Sequence, residues 1–256
     1  MNITSDWLVR IDSNMSTDIS IICFPYAGGD VAIFSRWQSL CPNNIAIYAV
    51  QLPGRGRSAT RPFIDKIGVL TQAIYQDIKR YLDGDIILYG HSNGALLALD
   101  LACHFKSLND NRLKHVIFSG KNFPDMSVQA LKIDKNSSPY EVKALLAEYG
   151  ATPSELLNSE GFLSYYLPIF KSDIVLVAGY VYPLKKPLPY PCSFIHAKGD
   201  RLVHTESLYR WEQVSEHYQQ FEISGDHFVI DSNPELITCI INTLVQEYKM
   251  IIQLTL

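Results

Sequence analysis

The sequence predicts an α/β fold built on a mostly parallel sheet, and three observations carry that reading. Short runs rich in β-branched and aromatic residues recur at 19–24, 45–50, 86–89, 116–119, 193–197 and 219–223, the composition of buried strands. Helical apolar spacing lies between several of them, at 68–82 and 95–105. Strands alternating with helices are joined by crossovers, which makes neighbouring strands parallel and covers both faces of the sheet. The 256 residues, 47% of them apolar, are enough for one substantial core, so residues 1–256 are expected to form a single domain.

Taken in order, residues 7–11 are an additional edge strand. The stretch at about 125–188 then breaks the alternation and shows no clear strand. Ser138-Pro139-Tyr140-Glu141 is a capping-box signature, after which Val142, Leu145, Leu146 and Tyr149 fall on one helical face. Gly150 ends that helix. Thr152-Pro153-Ser154-Glu155 starts a second helix, and Pro168 interrupts a third apolar segment. The stretch reads as a helical insertion between two strands. Its aromatics, Phe162, Tyr165, Tyr166 and Phe170, exceed what a covering helix needs, so a lid is expected. Ser232-Asn233-Pro234-Glu235 opens the last helix.

The balance of charge excludes some partners. A net charge of −4 leaves no basic surplus for nucleic acid or an anionic membrane. The longest apolar run, 174–182, is nine residues, far short of the ~20 a spanning helix needs. The first ten residues lack the basic and apolar regions of a secretory signal. Five widely spaced cysteines without a Cys-x-x-Cys pair fit a reducing, cytoplasmic setting. No exposed heptad or edge-strand pattern demands a partner, so a monomer is expected. No clustered Cys/His set argues for a metal. Gly54-Arg55-Gly56-Arg57-Ser58-Ala59 fits the loose dinucleotide fingerprint. Pro53 and Pro62 flank it, so no helix opens where a pyrophosphate would bind. No cofactor is expected.

The chemistry concentrates at Gly90-His91-Ser92-Asn93-Gly94. A strand precedes this Gly-x-Ser-x-Gly and an apolar helix follows, the setting of a nucleophile elbow. The plain alternative is a glycine-rich turn with an ordinary serine. A serine hydroxyl needs a base to take its proton, and the base needs an acid to orient it. Of seven histidines, His104 and His217 fall in helical patterns and His196 lies inside a strand. His115 leads into a strand, and His91 adjoins the serine. His227 follows the last strand, in Ser224-Gly225-Asp226-His227-Phe228. Catalytic groups of parallel sheets gather at the strands' carboxyl ends, so His227 is the expected base and His204 the runner-up. Asp200 lies at the carboxyl end of strand 193–197 and is the expected acid. Asp226 competes, although a turn-stabilising role suits it better. The order Ser92, Asp200, His227 matches that of α/β-hydrolases. The oxyanion of the tetrahedral intermediate needs backbone N–H donors. Asn93 supplies one. The loop Phe24-Pro25-Tyr26-Ala27-Gly28-Gly29 supplies the other, expected at Ala27.

Five segments together resemble a known family: CFPYAGG at 23–29, QLPGRGRS at 51–58, GHSNGA at 90–95, LPIFKSDIVLVAGY at 167–180 and GDHF at 225–228. In this order they are similar to the stand-alone type II thioesterases of nonribosomal peptide and polyketide synthesis, over nearly the whole chain. The resemblance implies an α/β-hydrolase fold with a helical lid. It puts the family's serine, aspartate and histidine on Ser92, Asp200 and His227, and its oxyanion donors on Ala27 and Asn93. It implies removal of aberrant acyl groups from the phosphopantetheine arm of carrier proteins, or release of amino acids or intermediates. Asn93 departs from the family, which usually has methionine after the nucleophile. A backbone donor survives that change. The polar side chain could reshape the acyl pocket or reach the oxyanion.

The chemistry asks for no more than this. A leaving thiolate has a pKa near ~8.5 and is easier to protonate than an amine, so serine, base and oxyanion hole suffice. Two alternatives stay open: a general carboxylester hydrolase of the same fold, and a non-catalytic partner of synthetase domains. Carrier proteins are typically acidic and this chain is itself negative, so docking needs a local basic patch. Arg55, Arg57 and Arg61, in the loop after the second strand, are candidates, with a solvated loop as the alternative.

Overall fold

A computed structural model describes residues 5–13, 18–124, 133–183 and 186–255, the last five by backbone alone. The expected positions 125–132, 184 and 185 of the insertion therefore lie outside the described residues. Seven strands form one sheet: β1 (Leu8–Arg10), β2 (Ile19–Phe24), β3 (Ile45–Val50), β4 (Asp85–His91), β5 (Leu113–Ser119), β6 (Cys192–Ala197) and β7 (Tyr218–Ile223). Their spatial order is β1-β3-β2-β4-β5-β6-β7. β1 pairs antiparallel to β3, and the other pairs are parallel. The expected α/β class and parallel sheet are what forms.

Alternation along the strands splits the core in two. Ile22, Phe24, Ile86, Leu88, Val116 and Phe118 face α2 (Ile67–Tyr81) and α3 (Asn93–Ser107). Ile21, Cys23, Ile47, Ile87, Tyr89 and Ile117 face α1 (Trp37–Leu40) and α9 (Pro234–Thr255). A parallel strand buried on both faces reads as continuous apolar sequence, which is why β2 to β6 were visible as runs.

Between β5 and β6 lie α4 (Pro139–Tyr149), α5 (Ser154–Leu157) and α6 (Glu160–Val177). Ser138 and Glu141 form both bonds of the capping box, and Gly150 closes α4 in the left-handed conformation. Pro168 does not interrupt the third segment, as its sequence suggested, because α6 runs through it. Proline there removes one bond, to the Ser164 carbonyl, and costs about 3 kcal/mol. Burial of Leu167, Ile169, Phe170 and Leu176 on the same helix outweighs that. His217 is likewise not helical. It sits just before β7, and its carbonyl accepts from the Cys192 amide. The chain is completed by α7 (Thr205–Trp211) and α8 (Val229–Ser232). Among the described residues no helix is long and apolar enough to cross a membrane.

The chain leaves β3 to enter β4 on the other side of β2. Loops after β2 and β4 therefore diverge at the carboxyl edge, where a crevice opens.

Candidate active site

Ser92 joins β4 to α3 with φ 53° and ψ −122°. This is the left-handed side of backbone space, where a residue with a side chain is strained. The flanking glycines explain how the turn is tolerated. A Cβ on Gly90 would run into the Gly94 carbonyl, and one on Gly94 would run into the Phe24 carbonyl. The Ser92 amide is pinned to the Ser119 carbonyl of β5 at 2.8 Å. The hydroxyl is thus held at the mouth of a helix by a backbone that cannot relax.

The structure brings Asp200 and His227 together. Asp200 follows β6 and His227 follows β7, at neighbouring carboxyl ends. His227 Nδ1 donates to Asp200 Oδ2 at 2.8 Å, and both side chains are buried. Asp200 Oδ1 accepts from the Leu202 amide at 2.9 Å. One carboxylate thus serves as turn acceptor and as imidazole partner. Burial alone would raise the Asp200 carboxyl. The bond from His227, the His227 charge and the Leu202 amide outweigh it and hold the carboxyl below its ordinary value. With Nδ1–H committed to the carboxylate, His227 keeps the Nε2 lone pair to accept a proton. Ser92 and His227 line one cavity of about 360 Å³. The Ser92 hydroxyl makes no hydrogen bond among the described residues. Such contacts often tighten only when substrate binds.

His91 holds His227 from behind. Its Nε2 lies 2.7 Å from the His227 carbonyl and therefore carries the proton. Its Nδ1 then accepts from the Ser119 hydroxyl at 2.5 Å. Burial, reinforced by the charge of His227, pushes His91 down to about 3, so this ring stays neutral. Tyr149 of α4 meets the His227 ring edge-on at 6.4 Å.

The remaining expectations fall as follows. Asp226 caps its own turn by accepting from the Phe228 amide at 2.9 Å and makes no bond to His227. His204 stands at the N-cap position of α7 without a side-chain capping bond and lines the same cavity. The amides of Ala27 and Asn93 have no acceptor among the described residues. The next amide, Gly28, is committed to Asp173 Oδ2 at 2.7 Å. Both ends of the Asn93 side chain have partners. Its Nδ2 donates to the Asp173 carbonyl at 3.0 Å, and its Oδ1 accepts from Lys121 Nζ at 2.6 Å.

The basic patch needs correction. Arg55 is 3% exposed and cannot meet a partner. Its guanidinium is bound by the Asp173 carboxylate and the Gly29 carbonyl. Arg57 donates to the Ser5 and Leu8 carbonyls, both at 2.8 Å. Arg61 pairs with Asp6 and lies over the Trp7 ring. Sequence reasoning also passed over Asp173, Tyr149 and Lys121. Asp173 had a signal: it is a lone carboxylate on the apolar face of α6, spaced with Phe170 and Val177. Lys121 had one too, two residues beyond the carboxyl end of β5.

Residues 20–244 match the family model of the thioesterase domain. The chain belongs to the thioesterase family. Among its relatives, linear gramicidin dehydrogenase LgrE of Brevibacillus parabrevis is 27% identical over 248 residues, 95% of this chain and 94% of LgrE. The gramicidin S biosynthesis protein GrsT of Aneurinibacillus migulanus is 27% identical over 235 residues, 90% of this chain and 91% of GrsT. The crystal structure of ClbQ from the colibactin NRPS/PKS pathway superposes with TM-score 0.83 at 23% identity. That match covers 92% of this chain and all of ClbQ, and it speaks for the fold alone. This thioesterase therefore has the α/β-hydrolase architecture of its relatives and is a thioester hydrolase.

Proposed function

We propose that this thioesterase hydrolyses acyl or aminoacyl thioesters on the phosphopantetheine arm of carrier proteins, in nonribosomal peptide or polyketide synthesis, through an acyl-Ser92 intermediate. The observation that carries the reading is the buried His227–Asp200 bond, facing the strained Ser92 across one cavity. The type II resemblance and the biosynthetic names of GrsT and ClbQ support the substrate class.

In the mechanism, Ser92 Oγ attacks the thioester carbon while its proton passes to His227 Nε2. The Ala27 and Asn93 amides donate to the resulting oxyanion. The C–S bond breaks, and His227 returns the proton to the departing thiolate. A water molecule, deprotonated by His227, then attacks the acyl-serine and releases the acid. Asp200 fixes the imidazole tautomer throughout and stays ionised.

The name dehydrogenase borne by LgrE does not suit this chain. A dinucleotide needs a helix N-terminus at its pyrophosphate, and Gly56–Ser58 form only a short 3₁₀ turn. The five cysteines are free, in keeping with a reducing, cytoplasmic setting, and the enzyme acts as a monomer. The helices α4 to α6 serve as the lid of the single domain, with Tyr149 closing over His227. A carrier protein meets the accessible faces of Arg57 and Arg61, not Arg55.

The test is incubation with a panel of acyl-loaded carrier proteins, read by intact mass, beside the same acyl groups on a pantetheine mimic and on a simple ester. Faster kcat/KM on the carrier is expected, because only remote contacts differ. Equal kcat/KM for carrier and mimic overturns the carrier-specific reading in favour of a general esterase. Failure of a fluorophosphonate to label Ser92 favours the non-catalytic partner.

A further inference from the structure

The acyl cavity holds a charge that the hydrolytic steps do not use. Lys121 stands just beyond β5 and lines the cavity with Ser92, Asn93 and His227. An ammonium carries three donors. Lys121 Nζ spends one on Asn93 Oδ1, at 2.6 Å. Among the described residues it has no other hydrogen-bond partner and no ion pair. Burial pushes this ammonium down to about 8, which leaves it mostly protonated at neutral pH. Among the described residues, Glu148 is the one carboxylate lining the cavity, against Lys121 and the exposed Arg201.

The ammonium is also fixed in place. The chain of bonds runs from the Asp173 carbonyl of α6, through the Asn93 amide group, to Lys121 Nζ. Asn93 directly follows Ser92, so the cation is coupled to the residue beside the nucleophile. The methionine usual in the type II family has no oxygen to hold it. The same cavity is also lined by the apolar Leu96, Phe123, Ile174 and Val177.

An unsubstituted acyl chain entering the cavity strips solvent from the ammonium and gives it nothing in return, which is unfavourable for a charged donor. A carboxylate on the acyl group replaces that solvent with an ion pair in a low-dielectric site. Resting on the thioesterase reading above, we propose that Lys121 is a specificity-determining residue, and that the cavity selects short acyl groups bearing a carboxylate, that is, thioesters of short dicarboxylic acids.

The test compares the N-acetylcysteamine thioesters of succinate and pentanoate, which have similar length and differ in the terminal charge. The wild-type enzyme is expected to favour the succinyl thioester in kcat/KM by about tenfold or more. In Lys121→Gln, which can still donate to Asn93 Oδ1 but has no charge, the succinyl-to-pentanoyl ratio falls by about tenfold or more. Lys121→Arg, which keeps the charge, retains the preference. A wild-type ratio at or below one overturns the proposal, and that measurement needs no variant to fold. A Lys121→Gln ratio equal to wild type also overturns it, because the lysine is then only a prop for Asn93. Hydrolysis of neither thioester by wild type, with Ser92 unlabelled by fluorophosphonate, is the separate result that removes the thioesterase reading itself.

Discussion

Asp173 of α6 lies 2.5 Å from the Arg55 guanidinium of the β3–α2 loop, and both side chains are buried. The same carboxylate accepts from the Gly28 amide, and Arg55 also donates to the Gly29 carbonyl. Two charges thus tie the insertion to the loop that carries the Ala27 amide. The consequence is mechanical. With Gly28 turned toward α6, the preceding amide is left for a ligand, and α6 cannot swing away near Asp173 without unpairing a buried charge. On the same insertion, Tyr149 of α4 meets the His227 ring.

The pair is therefore expected to be costly to break and less costly to replace. Arg55→Met leaves a buried carboxylate without its partner, and about 3–5 kcal/mol should be lost in urea unfolding. The double variant Arg55→Met with Asp173→Leu should recover part of that loss, while its kcat stays low because Gly28 has lost its acceptor. Additive losses in the double-mutant cycle would show that the two side chains do not act together.

Ser92→Ala should abolish thioester hydrolysis while leaving the unfolding midpoint near wild type or above it. Loss of an essential member of such a triad costs on the order of 10⁴ to 10⁶ in kcat. Alanine also removes no hydrogen bond here, since the hydroxyl makes none among the described residues. Retention of more than about a tenth of wild-type kcat would refute a serine mechanism.

How far the sequence could be read follows from where its signals are local. β2 and β3 were legible to the residue because strands buried on both faces are nearly continuous apolar runs. Ser92 was legible because its strain needs glycine on both sides within one turn. Arg55 was misread because charge in a glycine-rich loop normally faces solvent, and its partner lies 118 residues away. Pro168 was misread because propensity is local and the packing that overrides it is not. Lys121 and Asn93 meet only through the fold, across 28 residues, so no spacing rule could join them.

Asp200 and Asp226 should separate cleanly by mutation. Asp200→Asn leaves the shape of the side chain but no longer fixes the Nδ1–H tautomer of His227, and kcat should fall by roughly 10⁴. Asp226→Asn changes a turn that only caps Phe228, and kcat should stay within about tenfold of wild type. Steady-state kinetics on one thioester decides it. A larger loss at Asp226 would transfer the acid's role to that residue.

The buried histidines should make stability fall in mild acid. Burial holds His115 down to about 4, and burial together with the His227 charge holds His91 down to about 3. An unfolded histidine titrates near 6.5. Between the folded value and 6.5 the unfolded chain binds the proton and the folded chain refuses it. Stability therefore rises with pH across that window and falls as pH drops through it, by up to about 1.4 kcal/mol per pH unit for each histidine. The depressed Asp200 carboxyl adds loss of the same sign only below its ordinary range. Urea midpoints at pH 7, 6 and 5 measure the slope. His115 meets the Ser193 hydroxyl through Nε2 at 2.8 Å, a contact that glutamine can reproduce without titrating. His115→Gln should therefore flatten the slope by about one proton between pH 6 and 5. A slope unchanged by that substitution would mean that His115 takes up its proton in the folded chain as readily as in the unfolded one.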